Sequence, residues 1–222
     1  MRVALGVEYV RRAFSGWQTQ PGGNTVQDKL NQALSCIAGH PVTTLAAGRT
    51  DAGVHGLMQV VHFDSDAIRP LNAWVRGVNA HLPPEIAVVW AREVSDEFHA
   101  RFSAFSRSYR YFLLTHPVRP GLTAGRVGWY HQPLDVDAMR AAAAVLLGRH
   151  DFSSFRAAEC QAKSPQKDLQ QLNISEVDGL LLYRHFSALP GDVDVSAFTV
   201  AEQLGIRPVA LAVVEQFLEQ RH

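Results

Sequence analysis

Lysine is nearly missing from this chain. Of its 21 basic residues only Lys29, Lys163 and Lys167 are lysines, so its positive charge rests on arginine, whose planar fork suits bidentate phosphate contacts and stacking on bases. Cysteine is scarce as well. Cys36 and Cys160 stand alone without a CxxC pair, which suggests neither a disulfide framework nor a thiolate metal site. Long apolar runs are missing, so no helix spans a bilayer, and the opening MRVALGVEYV reaches Glu8 too soon for the apolar core of a signal peptide. A soluble, cytoplasmic protein is expected. Net charge is also missing, with 21 basic against 21 acidic residues, so no global basic signal announces a polyanion partner. One local absence breaks that balance: between Glu97 and Asp135 there is no acidic residue.

The remainder is rich in apolar residues, 47% of 222, enough for one large domain or two small ones with real cores. Residues 2–9 alternate, with Val3, Leu5, Val7 and Tyr9 on one face, and predict a strand. Residues 25–39 put Val26, Leu30, Ala33, Leu34 and Ile37 on one helical stripe, with Thr25 to cap the start and Gly39 to end it. Strands are expected over 42–47 and 57–63. Pro70 then opens a helix with Leu71, Trp74, Val75 and Val78 on one side, and 85–91 closes the half as a strand. That order is βαββαβ, the split βαβ or ferredoxin-like unit.

The second half starts similarly. Residues 107–114 predict a strand, 135–148 a helix with Gly148 just past its end, and 169–188 a hairpin around Asp178-Gly179. A last helix is expected from Pro208, with Leu211, Val214 and Leu218 as its apolar stripe, and 121–128 as an exposed loop. The expected fold class is α/β (α+β): two ferredoxin-like halves with antiparallel sheets and a central cleft. They divide at 1–105 and 106–222, the second a degraded copy with an unusual tail.

Between the second and third strands stands GRTDAGVH, residues 48–55. A phosphate cradle would want a lysine and no central carboxylate. A metal site could use Asp51, His55 and His62, though no recognised ligand spacing supports it. The third reading is a catalytic carboxylate. Gly48 and Gly53 allow backbone conformations that aim Asp51 outward, and Arg49 nearby would hold its carboxyl ionised. The plainer alternative is a surface ion pair in a tight turn.

GRTDAGVH followed by QVVHF resembles the signature loop of the tRNA pseudouridine synthase A family. ALGVEY, SGWQ, TVQDKL, VNAHLP, EFHARFSA, SYRY and DFSSFR occur in that family's order, so the resemblance covers roughly residues 1–187. It implies two ferredoxin-like halves and a homodimer acting without cofactor or metal on the anticodon stem-loop of tRNA. There, uridines at positions 38, 39 and 40 become pseudouridine. Residue by residue it implies Asp51 as nucleophile, Arg49 as the group that pairs with it and fills the space of the flipped base, and Tyr109 stacking on the uracil. Arg69 matches a position that contacts the RNA.

The acid-free segment supports an RNA face independently. Arg101, Arg107, Arg110, Arg119 and Arg126 fall in it, interleaved with Phe102, Phe105, Tyr109 and Tyr111. Of these, Arg101, Arg107 and Arg110 are the expected phosphate contacts. The chain departs from the family in two places. Tyr9 is followed by Val10-Arg11-Arg12 where the family has Asp-Gly, and after Ala188 the helix carrying His-His-Met-Val-Arg-Asn is replaced by other sequence. The second departure motivates an alternative: a tRNA-binding member of the family with weakened catalysis.

Overall fold

The computed structural model spans the 222 residues and describes all but 11–13, 51, 105, 156–163, 178–179, 189–212 and 218–222. It divides into two compact units, Met1–Ala104 with Val214–His222, and Phe105–Val213.

In the first unit the order is β1 (Arg2–Tyr9), α1 (Val26–Ala38), β2 (Leu45–Ala46), β3 (His55–Asp64), a π-helical turn (Ala73–Gly77) running into α2 (Val78–His81), and β4 (Ile86–Val94). β4 pairs with β1, β1 with β3, and β3 with β2, each antiparallel. This is the ferredoxin-like βαββαβ arrangement expected from the pattern. The helices cover one face, where Val3, Leu5, Val7, Leu30, Leu34 and Phe63 form the core. The alternation of β1 and the 3.6-residue stripe of α1 meet there. α1 begins at Thr25, whose side chain accepts the Asp28 N–H, and ends at Gly39 with φ 78°; both caps are those the sequence provides.

Three local details differ from the pattern. β2 is two residues long, because α1 side chains take the polar groups a longer strand would use. Ser35 Oγ accepts from Val42 N, Asn31 Oδ1 from Thr44 N, and Gln27 Nε2 donates to Thr44 O. The helix after Pro70 takes a π turn, in which Val78 N reaches Ala73 O. The wider turn rotates the stripe, so Trp74 and Val78 are buried while Leu71 is exposed. Residues 213–217, expected in a helix, form strand β10 (Val213–Phe217) hydrogen-bonded to β3. Val213, Val214 and Phe217 are residue types that strands favour. Leu211 and Leu218 lie outside the described residues.

In the second unit β5 (Ser106–Thr115) pairs with β9 (Leu180–Ala188), β9 with β8 (Gln166–Val177), and β8 with β7 (Gly148–Asp151), all antiparallel. α3 (Val136–Val145) is capped by Asp135, whose side chain accepts from Ala138 N. The order β5–β9–β8 repeats that of β1, β3 and β2. Two short strands were not anticipated: β7, which starts at Gly148 with φ 90°, and β6 (Gly128–Tyr130), parallel to β5 at the end of the expected 121–128 loop. No described helix is long and apolar enough to cross a membrane.

Candidate active-site loop

The GRTDAGVH loop leaves the sheet after Ala47, whose N–H still bonds to Val60 O at 2.9 Å. Its next carbonyl, on Gly48, accepts the side-chain amide of Gln59 from β3. Arg49 is exposed. Thr50 is held twice: its carbonyl accepts from Trp17 N at 3.0 Å, and its hydroxyl lies 2.7 Å from the Tyr9 hydroxyl. Asp51 lies outside the described residues. The chain returns through Gly53 at φ 114°, a conformation other residues adopt only under strain, and enters β3 at buried His55.

The anchoring groups are themselves buried: Gln59 is 0%, Trp17 1% and Tyr9 4% exposed. They converge because of a bulge. Val7 pairs with Gln59 but Tyr9 pairs with Gly56, so β3 carries one residue more than β1 between those pairs. The irregularity re-aims the strands, as bulges beside functional loops do. The Tyr9 ring then lies over Gly56, where a Cβ would stand 2.3 Å from Cε1. Sequence reasoning missed Tyr9, Trp17 and Gln59. The available signal was a lone glutamine in an apolar strand, QVVHF.

The metal alternative fails on geometry. His55 opens β3 and His62 lies seven residues further along it, roughly 23 Å away at about 3.3 Å per residue. His62 is committed elsewhere. It is 1% exposed, its Nδ1 accepts the Ala100 N–H at 3.1 Å, and it bonds the Leu45 backbone. Burial, then the nearby His99 and Arg2, push its pKa down to about 4, so it is neutral at pH 7. This histidine and Arg2 fasten the 96–103 segment. Arg2 pairs with Asp64 through both carboxylate oxygens and donates to the carbonyls of Asp96 and Phe98. Its hydrogen bond holds the Asp64 carboxyl below the usual range. Arg101 stands exposed on that segment, 5.9 Å from the Phe102 ring.

Arg69 is exposed and donates to Ile37 O and Ile68 O, both at 3.2 Å, so its guanidinium reaches the C-terminal turn of α1. The other expected residues lie on β5 in the second unit. Tyr109 and Arg110 are half-buried, opposite His185 and Arg184, while Arg107 is 7% exposed. The β5–β9 register runs without interruption, so Arg107 and Arg110, three apart, point to opposite faces. They do not serve one phosphate-binding surface as a pair.

Comparison with known proteins places this loop in a family. The sequence profile of the tRNA pseudouridine synthase family matches residues 7–103 and 142–202, so likeness runs past Ala188 into the tail. "tRNA pseudouridine synthase A" of Chromobacterium violaceum is 78% identical over 184 residues, 82% of this chain and 70% of that protein. The proteins of the same name from Thiobacillus denitrificans and Dechloromonas aromatica are 61% and 56% identical, over 82% and 89% of this chain and 70% and 72% of theirs. A solved Cbf5-Nop10-Gar1 complex aligns with 95% of this chain and 47% of its own at 12% identity, with a TM-score of only 0.42. A βαββαβ unit with GRTDAGVH between β2 and β3, matched by that profile across most of its length, leaves one conclusion: the chain belongs to the tRNA pseudouridine synthase family.

Proposed function

We propose that this chain isomerises uridine to pseudouridine in tRNA, at positions 38, 39 and 40 of the anticodon stem-loop, with Asp51 as the nucleophile. The observation that carries the reading is the 78% identity to a tRNA pseudouridine synthase A over 184 residues. The chemistry fits the loop. The N1–C1′ bond of uridine breaks, the uracil turns, and a C5–C1′ bond forms. C5 loses its proton and N1 gains one, so the product is an isomer of the substrate. A carboxylate supplies the nucleophile for such a step, and the bond is reached only when the base leaves the stack, at a cost of a few kcal/mol.

In this reading exposed Arg49 fills the space left by the flipped base and pairs with Asp51. Tyr109 stacks on the uracil. Arg69, Arg101 and Arg110 meet phosphates, with Arg107 in support from its buried position. The enzyme works as a homodimer in the cytoplasm, without cofactor or metal.

The test is direct. Unmodified tRNA bearing uridines at 38–40 is incubated with the protein, and pseudouridine is read by carbodiimide-primer extension or mass spectrometry. Modification that disappears in Asp51→Asn is expected. Unmodified tRNA, under conditions where the Chromobacterium relative works, would overturn the reading. Tight tRNA binding without product would instead favour the second reading, a binding member with weakened catalysis, which the missing His-His-Met-Val-Arg-Asn motif motivates.

A further inference from the structure

Asp51 is entered through Thr50, and three separate groups fix what comes before it. Gln59 holds the Gly48 carbonyl, Trp17 N–H holds the Thr50 carbonyl, and the Tyr9 hydroxyl meets Thr50 Oγ1 at 2.7 Å. Arg49, between them, is left exposed. A buried tyrosine needs a partner for its hydroxyl, and a buried carboxamide needs one for its N–H. Core strands usually meet that need within the sheet or avoid polar residues altogether. Here both are spent on the loop. The β1–β3 bulge and the bare Gly56 are what bring the Tyr9 ring across to it.

We infer that Tyr9 and Gln59 are positioning residues of the isomerase, fixing the direction in which the chain enters Asp51. The inference rests on Asp51 as the reacting group. Tyr9 touches no substrate atom in this role and acts through its contact with Thr50. Direction matters because a nucleophile works only near its attack geometry, and a misplacement of about 1 Å costs on the order of a hundredfold in rate. Gln59 fixes the loop one residue before Arg49 and Tyr9 one residue after it, so the two set both the path of the chain and the base of the arginine.

Tyr9→Phe removes one oxygen and keeps the ring on Trp17, whose centroid is 5.5 Å away. Thr50→Val removes the other oxygen at nearly constant shape. Each single variant is expected to lower kcat by roughly ten- to a hundredfold, with KM for tRNA near wild type and a melting temperature lowered by no more than the roughly 2–4 °C that one lost hydrogen bond costs. The double variant should lose no more than either single one, since both delete the same contact. Tyr9→Phe with wild-type kcat overturns the inference. So do additive losses, or a fall in melting temperature with kcat intact, which would make the contact merely structural. An inactive wild-type protein would defeat the proposed activity instead, and the two failures are told apart by that control.

Discussion

Gly56 stands where the Tyr9 ring crosses β3, and its φ is not among the positive ones, so what alanine does there is decided by space. A Cβ at this position would lie 2.3 Å from Tyr9 Cε1, 2.5 Å from Cζ and 3.0 Å from Cδ1. Carbon atoms pack at about 3.5–4.0 Å, so the ring must retreat by about 1.2 Å. It has little room to do so, being 4% exposed and tilted against Trp17 at 5.5 Å. A retreat of that size stretches the 2.7 Å contact with Thr50 past hydrogen-bonding range.

Overpacking of this kind costs about 1–3 kcal/mol and the lost hydrogen bond about 1 kcal/mol. The reduced freedom of the unfolded chain returns about 0.4–1 kcal/mol. Gly56→Ala should therefore destabilise by about 1–3.5 kcal/mol, a fall in melting temperature of roughly 2–14 °C for a chain of this size. Circular dichroism melts read it. The decisive comparison is a double-mutant cycle with Tyr9→Ala. With the ring gone, the Gly56 methyl occupies vacated space and its cost should vanish. An equal cost in both backgrounds would refute the steric argument, and with it the claim that Gly56 exists to admit the ring.

Asp51→Asn should abolish turnover and leave tRNA affinity near wild type, since an amide supplies no nucleophile; filter binding and product mass spectrometry check the two halves. Arg101→Ala and Arg110→Ala should each flatten the salt dependence of tRNA binding by about one phosphate contact, whereas Arg107→Ala, at 7% exposure, should lower stability more than slope. His62 makes the fold acid-sensitive with a definite sign. Its folded pKa of about 4 lies below the ordinary 6.5, so its contribution is whole above pH 6.5 and is lost as pH falls toward 4. The slope is up to about 1.4 kcal/mol per pH unit, and the total is about 2 kcal/mol once solvent screening is allowed for. His62→Asn keeps an acceptor for Ala100 N, and its urea midpoint should vary less with pH across that window.

The first unit was legible because two periods run cleanly through it. Val3, Leu5 and Val7 alternate, Leu30 and Leu34 recur at helical spacing, and Thr25 and Gly39 mark the ends of α1 in residue types that name their own role. What the periods hid were elements whose polar groups are satisfied out of pattern. Residues 42–44 look like strand but bond to α1 side chains. The segment after Pro70 looks like a regular helix but takes a π turn that puts Leu71 outside. Residues 208–220 carry a helical stripe at Leu211, Val214 and Leu218, while 213–217 within them are rich in β-forming residues. Local pattern leaves that conflict open, and pairing with β3 decides it.

The site divides along the same line. GRTDAGVH was readable as a string, and the family likeness found through it reaches Arg49, Asp51, Arg69 and Tyr109 by position. The residues that hold the loop were not readable that way, because each acts from another element: Tyr9 from β1, Gln59 from β3, and Trp17 through a backbone N–H that carries no residue identity at all. A one-residue bulge makes these contacts possible, and a bulge leaves no mark on an apolar alternation until the register is known. The same holds for Arg107 and Arg110. Both stand in an acid-free, arginine-rich segment, and only strand parity shows that they face opposite ways. Composition could locate the basic segment but not its surface, so phosphate binding is to be sought at exposed Arg101 and half-buried Arg110 before buried Arg107.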